Sequence, residues 1–305
     1  MPEGGEAAPD PLGTDPPSSL MPPAATRPLH ISSGGETLLG VLHLPPGPGP
    51  HPLVVLLHGF PGNERNFDLA QVLRRAGYAA VVCHYRGSWG VGGTYAWSHV
   101  LEDSARIVAA LCEPDTTAEY GLAGESVALV GHSLGGFAAL MTAARDARVG
   151  AVASVAGFDL GAVAAACGAD PAVRDRYVEM FARELLPLRG TSGEALVAEL
   201  EGAGAEWNLS RLAPLLADRP VLLVGTARDP IAPTEIHHEP VVATYRAHPV
   251  PRLEQHVFTT DHSLSDHRVA LARTVLGFLS RAFPRMQRGA PPSNAFKRGR
   301  GKVGD

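Results

Sequence analysis

The chain has 305 residues, 45% of them hydrophobic, and a formal net charge of −5. That length allows one large α/β domain or two ordinary ones, and the acidic balance excludes a basic surface built for nucleic acid. The three cysteines, Cys83, Cys112 and Cys167, are odd in number and form no CxxC pair, which excludes a disulfide framework and a cysteine zinc site.

Lysine occurs only at Lys297 and Lys302, while arginine, Ala, Gly and Pro are abundant. This bias points to a GC-rich bacterial coding sequence. The N-terminus lacks a basic start followed by an apolar stretch, so it does not read as a signal peptide. No apolar run reaches the roughly 18 residues of a spanning helix. A cytoplasmic protein with no membrane partner is expected.

Residues 1–27 are rich in Pro, Gly and acidic groups and are expected to be a disordered tail, with Met21 a second candidate start. "PLHISS" and "TLLGVLHL" then read as two antiparallel strands. "PLVVLLHG" is an apolar run bounded by Pro and Gly, as in a strand buried on both faces. Residues 63–76 read as a helix opened by Asn63. "GYAAVVCHYRG" is the next strand, and 99–112 a helix with Val100, Leu101, Ile107, Val108 and Leu111 on its stripe. "SVALVG", "VGAVASVAG", "RPVLLVG" and "PRLEQHVFT" are further strands. "LGGFAALMTAARD" and "SDHRVALARTVLGFLSRAF" are helices, the second closing the domain. Residues 284–305 form a basic tail, expected to be disordered.

Alternation of strand and helix implies an α/β fold: a mostly parallel sheet flanked by helices, spanning 28–283. Residues 158–218 interrupt the alternation. Most of that stretch reads as helix where a single helix would suffice, which predicts a helical cap inserted over the strand ends.

Ligands on such sheets bind beyond the carboxyl ends of the strands. Ser133 falls there, between "VALVG" and the helix beginning at Leu134. It stands in Gly131-His132-Ser133-Leu134-Gly135, a G-x-S-x-G nucleophile elbow in a strand–turn–helix context. A serine hydroxyl needs a base. His262, in "FTTDHSLSDHR" after the last strand, is the favoured one, and His267 is the rival. Ser265 reads as an N-cap that would set His267 into the first helical turn. Asp229 in "VGTARDPIAP" is the favoured carboxylate and Asp159 the alternative, while Asp261 adjoins His262 and points away. The backbone amides of Phe60, in "LLHGFPGNE", and of Leu134 are the expected oxyanion donors.

With those residues in place the chain resembles the α/β-hydrolase family over about residues 28–283, through "LLHGFPGNERNF", "GHSLGGFAAL", "GTARDPIAP" and "DHSLSDHR". "HYRGSWGVGG" is similar to the Tyr-Arg-Gly-Ser loop of hydrolases related to the prolyl oligopeptidase and acyl-peptidase group. The resemblance implies a catalytic triad of Ser133, Asp229 and His262. It implies a serine hydrolase, first an esterase acting on small acyl substrates. Alternatives are a peptidase or amidase with the same triad, or a non-catalytic ligand-binding protein of this fold. Trp89 and Trp207 are expected to line the substrate pocket, with Phe181, Tyr177 and Met180 as further wall candidates. His237 and His238 read as surface residues rather than metal ligands, and neither a metal nor a cofactor is expected.

Overall fold

The computed structural model describes residues 10–282. The elements run β1 (Ala25–Ser33), β2 (Glu36–Leu44), β3 (His51–Leu57), α1 (Phe67–Arg75), β4 (Ala79–Cys83), α2 (Trp97–Leu111), α3 (Pro114–Tyr120), β5 (Leu122–His132) and α4 (Leu134–Ala143). They continue with β6 (Val149–Val155), α5 (Leu160–Ala169), α6 (Pro171–Ala182), α7 (Gly193–Ala203), β7 (Val221–Thr226), α8 (Thr234–His237), α9 (Glu239–Ala247), β8 (Leu253–Phe258) and α10 (Arg268–Ala282).

The eight strands form one sheet in the order β1-β2-β4-β3-β5-β6-β7-β8. β1 and β2 pair antiparallel, as do β2 and β4, and every pair from β4 to β8 is parallel. The two-residue period of the strands divides the core. In β3, Leu53, Val55 and Leu57 face one cluster while Val54 and Leu56 face the other. That explains the unbroken apolar run, since both faces of the strand are covered.

α1 and α10 cover one face with the stripes Leu69, Ala70, Val72, Leu73 and Leu271, Ala272, Val275, Phe278, Leu279. α2, α4, α9 and the segment between β6 and β7 cover the other. Every residue of α4 is buried, because the sheet lies on one side of it and α2 and the 3₁₀ turn at 209–216 pack on others. The segment between β6 and β7 carries α5, α6, α7 and two 3₁₀ turns, and packs on the body against α9, α4 and α2.

Several boundaries differ from the sequence reading. α1 begins at Phe67 rather than at Asn63, because Asn66 adopts φ 57° and breaks the helical run. α2 begins two residues early, at Trp97. Glu199 of α7 accepts from the amides of Trp97 and Ser98 at 2.8 Å each, and so caps α2 from outside its own sequence. α10 begins at Arg268, and the Ser265 hydroxyl is held by Asp261 rather than capping the helix.

Residues 1–9 and the expected tail at 284–305 lie outside the described residues. The remainder of the expected N-terminal tail is tied to the body. Arg75 donates to the Pro11 oxygen (2.6 Å), the Gly47 amide donates to the Pro22 oxygen (2.8 Å), and β1 already runs from Ala25. A proline-rich segment has few donors of its own, but its carbonyls serve as acceptors here. No described helix is long and apolar enough to cross a membrane.

Candidate active site

Ser133 lies between β5 and α4 with φ 56° and ψ −121°, a backbone conformation that only a well-braced turn holds. Its amide donates to Val155 O (2.9 Å), and its carbonyl accepts from the amides of Gly136, Phe137 and Phe158. The flanking glycines answer a steric demand. A Cβ on Gly131 would lie 1.9 Å from the Gly135 oxygen, and one on Gly135 would lie 1.9 Å from the Leu57 oxygen. The turn therefore sits tightly against the end of β3, where the 58–63 loop begins. A Cβ on Gly59 in that loop would be 2.9 Å from Ser133 Cβ.

Asp229 and His262 come from the loops after β7 and β8. His262 Nδ1 donates to Asp229 Oδ2 at 2.6 Å. That oxygen also accepts from the Thr226 hydroxyl (2.7 Å), and Oδ1 accepts from the amides of Ile231 and Ala232 at 2.9 Å each. Burial works to raise the carboxyl, but the His262 hydrogen bond and charge, with the other donors, outweigh it and hold the pKa down to about 2. The carboxylate is thus charged and holds the imidazole by its Nδ1–H edge.

His132 Nε2 donates to the His262 main-chain oxygen (2.7 Å), and the two rings stand 4.9 Å apart between centroids. The imidazole therefore lies beside the elbow. Among the described residues the Ser133 hydroxyl makes no hydrogen bond to that ring; such contacts tighten when substrate enters.

The rival residues are engaged elsewhere. His267 pairs with Asp266 (2.7 Å) at the surface. Asp159 accepts from the amides of Ala162 (3.0 Å) and Leu209 (3.1 Å), fastening α5 to the 3₁₀ turn, and burial pushes its carboxyl up to about 6. Asp261 accepts from the Ser265 amide and hydroxyl.

The amide of Leu134 is the first of α4, where the helix dipole favours a negative charge. Among the described residues neither it nor the Phe60 amide donates to a backbone oxygen. Phe60 meets Trp97 at 5.2 Å and Phe181 of the insertion at 5.5 Å, and Phe181 also neighbours Phe158 and Tyr177. The Phe158 amide donates to the Ser133 carbonyl, which joins this aromatic cluster to the elbow. Trp89 is half-buried beside the 58–63 loop and donates from Nε1 to Pro61 O (2.7 Å). Trp207 packs edge-on against Phe137 of α4, 5.8 Å away, within the main core cluster.

Other residues escape a reading of the sequence. His58 is buried at the start of the loop, donates from Nδ1 to the Gly59 oxygen (2.8 Å), and meets His84 Nδ1 at 3.2 Å through Nε2. Since the Gly59 carbonyl can only accept, His58 carries its proton on Nδ1. Burial drives His58 and His132 down to about 3 and His84 to about 4, so all three are neutral. His237 and His238 are buried, not superficial. His237 stacks on Phe158 (4.4 Å) and its Nδ1 accepts from the Asp159 amide (3.0 Å). The Tyr-Arg-Gly-Ser loop is structural. Arg86 Nε meets Asp103 Oδ1 at 2.7 Å, the Arg86 amide donates to Asp103 Oδ2 (2.8 Å), and the Ser33 hydroxyl donates to Asp103 (2.6 Å).

The profile of the alpha/beta hydrolase family matches residues 54–274, which holds the elbow, Asp229 and His262. The chain belongs to this family. Among known proteins, the chain is 29% identical over 140 residues to 2,6-dihydropseudooxynicotine hydrolase of Paenarthrobacter nicotinovorans, a stretch covering 46% of this chain and 36% of that protein's length. Est1E from Butyrivibrio proteoclasticus superimposes with a TM-score of 0.62 at 18% identity, over 85% of this chain and 99% of that one. A Pyrococcus furiosus esterase gives 0.61 at 17% identity, covering 85% and 91%. The Pyrococcus horikoshii acylaminoacyl peptidase gives 0.63 at 16% identity, over 89% of this chain and 43% of the peptidase. These likenesses establish a shared fold.

Proposed function

We propose that this hydrolase cleaves carboxylic esters of small acyl substrates through an acyl-enzyme on Ser133, without a cofactor. The observation that carries the reading is the 2.6 Å bond from His262 to the charged Asp229, next to a serine on a braced elbow. In the proposed cycle Ser133 Oγ attacks the carbonyl carbon as its proton passes to His262 Nε2. Asp229 stabilises the imidazolium so formed. The oxyanion takes hydrogen bonds from the amides of Phe60 and Leu134. Collapse breaks the C–O bond, and His262 returns the proton to the departing alcohol. Water, deprotonated by His262, then releases the acid and restores Ser133.

The same groups would serve amide cleavage. An alkoxide leaves with less help from a general acid than an amine does, so an ester is the less demanding substrate for these groups. Trp89 and the cluster of Phe60, Phe158 and Phe181 are the proposed walls of the acyl and leaving-group pockets.

A fluorophosphonate probe tests the mechanism: the wild-type protein is labelled and Ser133→Ala is not. A folded wild-type protein that resists the probe overturns it. Comparison of p-nitrophenyl esters with aminoacyl anilides tests the substrate class. A higher kcat/KM on anilides, by orders of magnitude, replaces the ester reading with the peptidase one.

A further inference from the structure

An open groove of about 590 Å³ runs between the start of α1 and the loop after His262, lined by residues that include Glu64, Arg65, Asp68, Ser263 and Arg268. Its charges are unequally matched. Arg268 takes a two-pronged pair with Asp68 (2.6 and 2.8 Å) and stands 4.0 Å from Glu64. Glu64 is also held by the Asn66 amide (2.6 Å). Both carboxylates of the groove are therefore committed to Arg268 and the backbone. Arg65 has no carboxylate within 4.0 Å among the described residues.

The Arg65 guanidinium is nonetheless held in place. Its carbon lies 4.3 Å from the centroid of the Trp89 ring and 5.9 Å from that of Phe67. The indole is itself anchored by its hydrogen bond to Pro61 O, in the loop that carries the Phe60 amide. A cation over an aromatic face keeps its full charge, and its N–H edges stay free for an anion. A chain of contacts links it to the site: Trp89 stacks on His84, His84 touches His58, and Gly59 lies against Ser133. The neighbouring His58 and His84 are neutral, so they do not compete with Arg65 for an anion.

We infer that Arg65, seated on Trp89, is the specificity residue that selects esters carrying a carboxylate remote from the scissile bond. The inference rests on the ester-hydrolase reading and adds the charge of the substrate to it. Planar two-pronged recognition of a carboxylate is what guanidinium geometry offers.

Matched pairs of substrates test it on the whole protein. One pair places the acid on the acyl side, p-nitrophenyl hemisuccinate against p-nitrophenyl butyrate. The other places it on the leaving group, 4-carboxyphenyl butyrate against phenyl butyrate. The readout is the charged-to-neutral ratio of kcat/KM. Wild type is expected to prefer the acid in at least one pair, which also tells the two sides apart. Arg65→Gln is expected to lower that ratio by about tenfold, and Arg65→Glu to lower it further. Added salt lowers the ratio in wild type but not in Arg65→Gln. Arg106→Gln, on the exposed side of α2, keeps the wild-type ratio. A wild type without preference in either pair, or ratios that Arg65→Gln leaves unmoved, overturn the inference.

Calorimetric binding of benzoate against benzamide separates the two readings. Benzoate binding that disappears in Arg65→Gln upholds the anion site even if no ester is cleaved, in which case the ester reading falls. Neutral esters cleaved with no Arg65-dependent benzoate binding leave the ester reading standing and end the anion site.

Discussion

His132 donates a hydrogen bond from Nε2 to the main-chain oxygen of His262 at 2.7 Å. The residue before the elbow serine thus holds the loop that carries the imidazole. Asp229 fixes the ring of His262 by its Nδ1, and His132 fixes its backbone. The position of Nε2 relative to Ser133 is set from both ends.

Replacing His132 by Phe keeps an aromatic ring in this buried position and removes the donor. The abandoned carbonyl costs about 1–3 kcal/mol, and the loosened loop holds the proposed base, His262, less firmly. A fall in kcat of about tenfold or more is expected, with KM little changed. Steady-state kinetics on a p-nitrophenyl ester measures it; an unchanged kcat would show that the loop needs no such tie.

Asp103 is fully buried on α2 and joins Ser33, at the end of β1, to Arg86 after β4. Asp103→Ala strands the nearly buried Arg86 guanidinium with only the exposed Glu102 as partner. Loss of about 3–5 kcal/mol is expected, as for other buried pairs broken on one side. Urea unfolding measures it. A loss below about 1 kcal/mol would mean that Glu102 and water suffice.

Gly135→Ala forces a methyl group into the Leu57 oxygen, and neither α4 nor β3 has room to retreat. Overpacking against backbone is expected to cost about 3 kcal/mol or more. The strand end that must move leads into the Phe60 loop, so activity falls along with the melting temperature. Gly168→Ala, where an added Cβ meets nothing within 4 Å, is the control and leaves both near wild type.

Stability should fall on acidification from about pH 6.5. His58 and His132, held at about 3, are neutral in the folded chain but take up protons near 6.5 once unfolded. Between those values the unfolded state binds more protons, so each histidine costs about 1.4 kcal/mol per pH unit. His84 and His237, both lowered to about 4 by burial, act in the same direction. Asp229, at about 2 against 3.8, adds its loss only below pH 3.8. Asp159, raised to about 6, works the other way, its contribution declining as pH rises from 3.8 to 6. Four histidines outweigh one carboxyl. Urea titrations at pH 5 and pH 7 measure the slope, and equal stability at both would contradict it.

Much of this was legible along the chain. The strand–helix alternation, the elbow and the strand-end loops that carry Asp229 and His262 are local patterns, because a buried parallel strand, a tight glycine turn and a strand-end loop each leave a signature within about ten residues. Asp103 also left one, unread: it is an acidic residue three positions after Val100, on the apolar stripe of α2. Its partner Arg86 sits in the Tyr-Arg-Gly-Ser loop, 17 positions earlier. The start of α2 had no local signal, since its cap is Glu199, a hundred residues away.

The sequence by itself determined the layered architecture and which side chains have the chemistry to act. Tertiary structure alone decided that Asp229 rather than Asp159 meets His262, that His58, His132 and His237 are buried and neutral, and that Trp207 packs in the core while Trp89 carries a cation. Periodicity reports which face of an element is covered. It does not report which distant group covers it, and pairing, desolvation and charge depend on that neighbour.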